Sequence, residues 1–480
     1  MARKETAQER AKRIKSSKVV QEIVASLRRE VAERLGPNST FEQRRNAGMD
    51  IMTEVVWQDT EGDLQGSVTT SKEVEVNGKR YRRMRQRSSA TYYGRFGSHQ
   101  VEESLYREVG KHNGPTIKPV ELRVGIVAHM TPDMAHVVGA LSAERSSRAI
   151  AQTLRVVGYV PPSRAFLADQ TTAMGTRISD HVSELETAAR TVEALPQAVT
   201  SVSCGLDRMS VRMSEPATTQ SPPRKARTEP YQRTPPPPKE HHYRKAWVGT
   251  TSVYDAQGNE LHTWRIAAEA KADAKKLADR VAAEVAWVLR TYPNIPVHCI
   301  QDAAPELRIL PRVLEQTLPH VEMAELIDFE HLMGYLDDVV DACELPGDPS
   351  NLKGRYRKKL LETDAAIDHI QYEFRHRAKH LPGRHTPARQ AVAAALRYIR
   401  HRKDKMRYAS LHQKKLPIGS GATESTCWQM QQRVTLPGQS WEQVGLRGVL
   451  AIRALVLSDR WDSAWAPFAA KHRMDVYAVS

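Results

Sequence analysis

The chain is 480 residues long and carries 71 Lys plus Arg against 56 Asp plus Glu, a formal net charge of +15. That length allows several domains with ample core, and that charge favours a polyanionic partner, nucleic acid first. A membrane-spanning helix is excluded, because no apolar run reaches the roughly 18 to 20 residues that cross a bilayer.

The N-terminus, MARKETAQERAKRIKSSK, has no apolar signal core. Residues 17–35 follow as an amphipathic helix, with Val20, Val24, Leu27, Val31 and Leu35 at helical spacing and Gly36-Pro37 as the stop. A second helix is predicted after Thr40, to about Trp57; the two could pair with each other or with another subunit. Residues 72–96 read as a β-hairpin, EVEV and KRYRRMRQR about an Asn77-Gly78 turn. Its second arm carries Arg80, Arg82, Arg83 and Arg85 with Tyr81, Tyr92 and Tyr93 nearby, a pattern suited to phosphate contact and base packing. A solvated edge strand protected by charge accounts for it equally well. Ser146–Val157 and Arg164–Met174, with Ser163 as N-cap of the second, resemble a helix-turn-helix, which makes Arg164, Gln170 and Thr171 candidates to face DNA.

Composition breaks after residue 213. Residues 214–240 are rich in proline and base (Arg224, Lys225 and Arg227 among them) and predict an extended or disordered excursion close to DNA. Extended segments lie on both sides of it. Strands at 198–213, 247–255 and 260–270 are followed by a helix at about 271–291, a strand at 295–302, a further helix after Pro305 and a strand at 323–329. The order β-β-β-α-β-α-β is that of a ribonuclease H-like domain. Such a fold needs an acid within its first strand, one at the end of its fourth and one on a distant helix. Asp207 and Asp302 fit the first two positions, and Glu424, in the first turn of a helix opened by Gly419-Ser420-Gly421, fits the third.

Alone, each acid has a plainer explanation: strand-end acid for Asp207, turn former or helix cap for Asp302, complement to a helix dipole for Glu424. Cys204 and Cys299 each precede an aspartate by three residues, which on a strand is the opposite face. They read as small core residues behind the site. The four cysteines form no CxxC pair and suit a reducing cytoplasm. About eighty mostly helical residues precede Glu424, with KGRYRKKL, EFRHRAKH and LRYIRHRKDKMR as basic bands.

The stretch LPIGSGATESTCWQMQQRV, with Glu424-Ser425 after a small-residue turn and a helix ending at Arg433, resembles the DDE-type insertion-sequence transposases of the Kra-type bacterial group, relatives of Mutator and hAT elements. Asp328-Phe329-Glu330-His331 resembles their Asp/Cys-x-x-His motif, and SDRWDSAW their Trp-rich tail. The likeness covers about 195–470. It departs from the family pattern at Asp207-Arg208 and Asp302-Ala303, where Asp-Gly is usual.

The resemblance implies a catalytic triad of Asp207, Asp302 and Glu424 on two Mg²⁺ (or Mn²⁺) ions, with His331 positioning DNA and Arg433 contacting it. It also implies a helical insertion, double-stranded transposon-end and target DNA as partners, a homodimer or higher oligomer, and a nucleoid-associated cytoplasmic location. The expected fold is α/β: a ribonuclease H-like catalytic domain with a helical insertion, plus a mostly α-helical N-terminal DNA-binding region with a β-hairpin. The expected boundaries are 1–70 and 71–195 for DNA binding and dimerisation, 196–335 for the first part of the core, 336–415 for the insertion and 416–480 for the rest of the core. The rival readings are a domesticated, inactive DNA-binding transposase and a nuclease on the same fold.

Overall fold

The computed structural model describes residues 7–216, 239–343, 348–381, 383 and 386–479. The chain divides into two compact units, one of residues 1–174 with 462–480 and one of residues 175–461.

The first unit begins with helices α1 (Ala7–Ser16), α2 (Lys18–Leu35) and α3 (Phe41–Gly66). Ser17 caps α2, Gly36 at φ +71° ends it, and Thr40 with Gln43 forms a capping box on α3. The second helix therefore runs nine residues past its expected end at Trp57. Its last turns are polar outside and held inside by Leu64 and by Glu61, whose carboxylate meets His99 at 2.8 Å.

Strands β1 (Glu73–Val76), β2 (Lys79–Gly94), β3 (Gly97–Glu108) and β4 (Thr116–Ile117) come next, then helices α4 (Pro119–Val124), α5 (Pro132–Glu144), α6 (Ser147–Val156) and α7 (Arg164–Asp180). The Asn77-Gly78 turn has both residues at positive φ, 50° and 74°, as a type I′ hairpin requires. The expected lone hairpin is instead part of a five-stranded antiparallel sheet, while the N-terminal region as a whole is mostly helical, as expected. The longest of the three missed strands is β3. Its inward face carries His99, Val101 and Glu103, and two polar residues of three conceal the alternation. Glu103 is accommodated because the buried Tyr92 hydroxyl donates to it at 2.5 Å.

The second unit opens with the end of α7 and α8 (Val182–Val192), then β5 (Ser201–Pro216), β6 (Lys239–Tyr254), β7 (Glu260–Ala268), α9 (Ala274–Thr291), β8 (Val297–Gln301), a 3₁₀ turn (Pro305–Arg308), α10 (Ile309–Thr317) and β9 (Met323–Ile327). The expected succession of strands and helices is present. The sheet order is β7-β6-β5-β8-β9, antiparallel through β5 and parallel from β5 to β9. The margins of the 214–240 excursion are not loop: Ser214 to Pro216 pair with Lys239 to His241 as the end of the β5–β6 ladder. Arg224, Lys225 and Arg227 lie outside the described residues.

Side-chain alternation along β5 separates the two faces of this sheet. Val202, Cys204 and Leu206 point into a core built with Val281, Val285 and Val288 of α9 and Leu310 and Val313 of α10. Met209, Val211 and Met213 point the other way. That face is covered by α16 (Gly421–Val434) and α17 (Gln443–Leu457). Between β9 and α16 lies a helical module of α11 (Phe329–Ala342), α12 (Pro349–Glu362), α13 (Ala366–His380), α14 (Pro387–Arg400) and α15 (Ala409–Gln413). It has its own core around Leu336, Tyr356, Phe374 and Ile399.

The last elements, α18 (Trp461–Ala470) and β10 (Tyr477–Val479), correct the expected boundaries. β10 pairs with β1 (Glu73↔Val479), so residues after 461 belong with the N-terminal unit and not with 416–461. Conversely, 175–195 belongs to the second unit, because Glu186 and Arg190 of α8 pair with Arg280 and Glu284 of α9. A three-residue edge strand has too little sequence of its own to announce its partner.

Candidate functional site

Asp207 lies on β5 with the residues that face α16, since it shares the parity of Met209 and Val211. Parallel pairing sets Cys204 opposite Cys299. Asp207 and Asp302 each stand three residues further on, Asp207 within β5 and Asp302 just past the end of the neighbouring β8. Cys204 and Cys299 are buried in the opposite core, as their parity requires. Gly205 explains how α16 comes so close: a Cβ there would sit 2.5 Å from the Ile300 carbonyl oxygen and 2.8 Å from the Thr423 hydroxyl. Thr423 in turn meets the Thr250 hydroxyl at 2.6 Å. These contacts bring the first turn of α16, with Glu424, over β5 and β6 beside Asp207.

His331 joins the acids. Its Nε2 is 3.5 Å from Asp302 Oδ2, and its Nδ1 is 3.6 Å from Asp328 Oδ1 and 4.0 Å from Glu424 Oε1. Asp207 approaches from the other side, its Oδ2 accepting from the Cys427 thiol at 3.3 Å, one helical turn beyond Glu424. The Tyr398 hydroxyl, from the helical module, reaches Asp302 Oδ1 at 3.4 Å. Asp302, Glu424 and His331 are partly open to solvent.

The residue that organises this cluster is Asp328, which sequence reasoning noted within a motif but gave no role. It is 1 % exposed. It caps α11 by accepting from the His331 N–H at 2.6 Å, and it accepts from the Ser420 N–H at 2.5 Å and lies 2.8 Å from the Ser420 hydroxyl. That hydroxyl is also 3.0 Å from Glu424, and its one proton serves one carboxylate at a time. Asp328 thus ties the start of α11, which carries His331, to the start of α16, which carries Glu424. Burial works to raise its pKa, but hydrogen bonds from His331 and Ser420 outweigh burial and hold it down at about 2. His331 moves the opposite way, to about 9. The hydrogen bond to Asp328 is the main cause; burial opposes it, and the charges of Asp302 and Glu424 add to it. The signal in the sequence was the i, i+3 spacing of an N-cap acid and a histidine after a strand.

Ligand atoms of Asp328, His331 and Glu424 lie within 4.8 Å of one another. Asp328 is engaged by the backbone N–H groups of His331 and Ser420. Asp207, Asp302 and Glu424 keep part of their surface open to solvent. An all-carboxylate set around one imidazolium suits a hard divalent cation.

Arg208 does not crowd Asp207. It points to the opposite face, stacks over Trp247 at 4.8 Å and pairs with Glu306 at 3.0 Å. Arg433 is a correction: it is 5 % exposed and lies over the Trp441 ring at 5.1 Å, so it is turned inward and is not a surface contact for DNA.

In the N-terminal unit, Arg80 and Arg85 are exposed on β2, Arg82 pairs with Glu73 at 2.8 Å, and Arg83 donates to the Thr70 carbonyl. A β-bulge between Arg83 and Arg87 puts Arg85 out of register. Arg82 and Arg83 also line a concavity of about 260 Å³ together with Arg107, Lys111 and His112. Arg164 is exposed and Gln170 half-buried on α7, while Thr171 bonds back to Leu167 of its own helix. Ser163 caps α7 through the Phe166 N–H, as the sequence predicts.

The second unit is thus a mixed α/β fold with an acidic cluster beside its inner strands. No family model and no curated protein matches the chain. Among solved structures, the Mos1 transposase paired-end complex with left transposon end aligns at 12 % identity over 40 % of this chain, with a TM-score of 0.14. The alignment spans little more than half of that chain, 57 % of its length. A score that low carries no argument about fold or activity.

Proposed function

We propose that the chain is a DNA transposase whose second unit is a ribonuclease H-like catalytic domain, cutting phosphodiester bonds and joining the freed 3′-OH to target DNA. The observation that carries this reading is that Asp302, His331 and Glu424, from three separate segments, lie together beside the inner strands of the sheet, with Asp207 against Cys427 one turn along the helix that carries Glu424. Asp207, Asp302 and Glu424 would hold two Mg²⁺ (or Mn²⁺) ions. Bound there, divalent ions activate the attacking oxygen and stabilise the leaving one.

The protein's own groups supply the rest. His331, protonated at neutral pH by its raised pKa, offers one positive charge for a phosphate among the carboxylates. Asp328 fixes the start of the helix that carries that ring and holds Ser420, whose hydroxyl lies 3.0 Å from Glu424. Binding of double-stranded transposon ends is assigned to the Arg-rich face of β2 and to α7 in the N-terminal unit. Phosphodiester chemistry reads no sequence, so specificity needs a second surface. Two ends must be handled together, which calls for a dimer or larger assembly.

Asp207→Ala, Asp302→Ala and Glu424→Ala should each abolish Mg²⁺-dependent cleavage of terminal-repeat DNA while leaving its binding within a few-fold. Cleavage that survives any of the three sinks the catalytic reading. Cleavage without strand joining in the wild type would make the protein a nuclease on this fold.

A further inference from the structure

Beside Asp302 the second unit opens into a cleft of about 620 Å³, lined by the end of β8, the turn after it, α10 and the segment after α14. That volume falls in the roughly 300–1,000 Å³ range of ligand sites; it is too small for a duplex and large enough for part of a single strand. Gln301 lines it and is 4 % exposed. Its Nε2 donates to the Leu307 carbonyl at 2.9 Å, which fixes the amide orientation, and its Oε1 is buried with no partner among the described residues. Leaving such an acceptor unpaired is costly, so this position calls for a donor.

The walls carry charge. Arg308 and Arg312 are exposed and four residues apart, on the same side of the helical stretch they share. Like charges at that spacing destabilise a helix, and among the described residues neither arginine has an acidic partner. Lys405, by contrast, is neutralised by Glu325 at 2.5 Å. Arg402 is fixed across the mouth by the Tyr398 carbonyl at 3.0 Å. Glu315 is the one acid that opposes the arginine pair on α10. Two unpaired guanidiniums, a buried acceptor and a direct opening onto Asp302 suit a chain of phosphates whose sugars or bases also carry donors.

We propose that this cleft holds an unpaired stretch of the DNA strand adjoining the scissile phosphate, with Arg308 and Arg312 on its phosphates and Gln301 Oε1 accepting from a base or sugar donor. The assignment rests on the catalytic reading only in taking Asp302 to mark the scissile position.

The test uses the full chain in EDTA, where no cutting occurs, and a short fluorescent single-stranded oligodeoxynucleotide. The double variant Arg308→Glu with Arg312→Glu should weaken binding at least tenfold. It should also flatten the slope of log K against log salt by roughly 1.4, two phosphate contacts at about 0.7 each for a single strand. Blunt-duplex binding should change much less. Glu315→Gln should tighten oligonucleotide binding several-fold, a gain that a misfolded variant does not produce. Wild-type affinity and slope in the double variant, or no gain in Glu315→Gln, overturns the proposal. Asp207→Ala separates the two ideas: oligonucleotide binding that responds to Arg308 and Arg312 alongside normal cleavage by Asp207→Ala would leave the cleft standing and the catalytic assignment fallen.

Discussion

Asp328 and His331 form the pair on which the site's geometry depends. Removing the Asp328 carboxylate leaves buried donors at Ser420 and His331 without an acceptor, a loss of about 1–3 kcal/mol for such a group. Asp328→Ala should therefore lower the stability of the second unit by that order in urea unfolding, and cleavage should fall with it. Asp328→Asn keeps the shape and removes the charge; the His331 pKa should then drop from about 9 toward 6.5, the ordinary value, readable by NMR of the ring protons. The pH dependence has a definite sign. His331 is raised in the folded state, so its contribution is complete below pH about 6.5 and is lost as pH climbs through about 9. The groups facing it are Asp302, Asp328 and Glu424. Metal-free wild type should lose melting temperature over that interval, and His331→Gln should lose less. Arg433 leads to a different expectation. Because it is buried against Trp441, Arg433→Ala should destabilise the fold while leaving the salt slope of DNA binding unchanged.

At the level of elements, the site exists because β5, β8 and α16 pack with almost no room between them. Gly205 is where they meet. Gly205→Ala would force a Cβ against the β8 backbone and Thr423, and overpacking of this kind costs about 1–3 kcal/mol. Because the strain falls between the elements that carry Asp207, Asp302 and Glu424, cleavage should suffer more than thermal stability does. A variant with full activity would show that the three elements need not sit this close. The elements themselves were largely legible. α2, α6, α9 and the strands β5 to β9 follow their apolar periodicity, and Ser163 caps its helix as its hydroxyl predicts; Ser17, Thr40 and Ser146 cap theirs as well. β3 was not legible, because His99 and Glu103 fill inward positions that a hydrophobic pattern assigns to apolar residues.

Across the whole molecule, the pairing of β10 with β1 returns the C-terminus to the N-terminal unit. A fragment ending near residue 195 would lack that strand and leave the edge of β1 open. Deleting residues 475–480 should lower the melting of the first unit and leave that of the second in place. A single unchanged calorimetric profile would show that β10 contributes nothing. The proposed recognition of transposon ends by the N-terminal unit is better tested in the full chain, where Arg164→Ala should reduce the preference for terminal-repeat over scrambled duplex more than it reduces total affinity.

The sequence by itself determined what depends on neighbours along the chain: the helices and their caps, the Asn77-Gly78 turn, the succession of strands and helices, the facing of Asp207 away from Cys204, and the basic charge. Periodicity and capping are local, so they can be read without a fold. Tertiary structure alone decided which distant groups meet. The hydrogen bonds of Asp328 to Ser420, the closeness of Cys427 to Asp207, the inward turn of Arg433 and the pairing of β10 with β1 join residues far apart in the chain. Burial and hydrogen-bond geometry, which set their charge states and roles, come into being only when those segments pack.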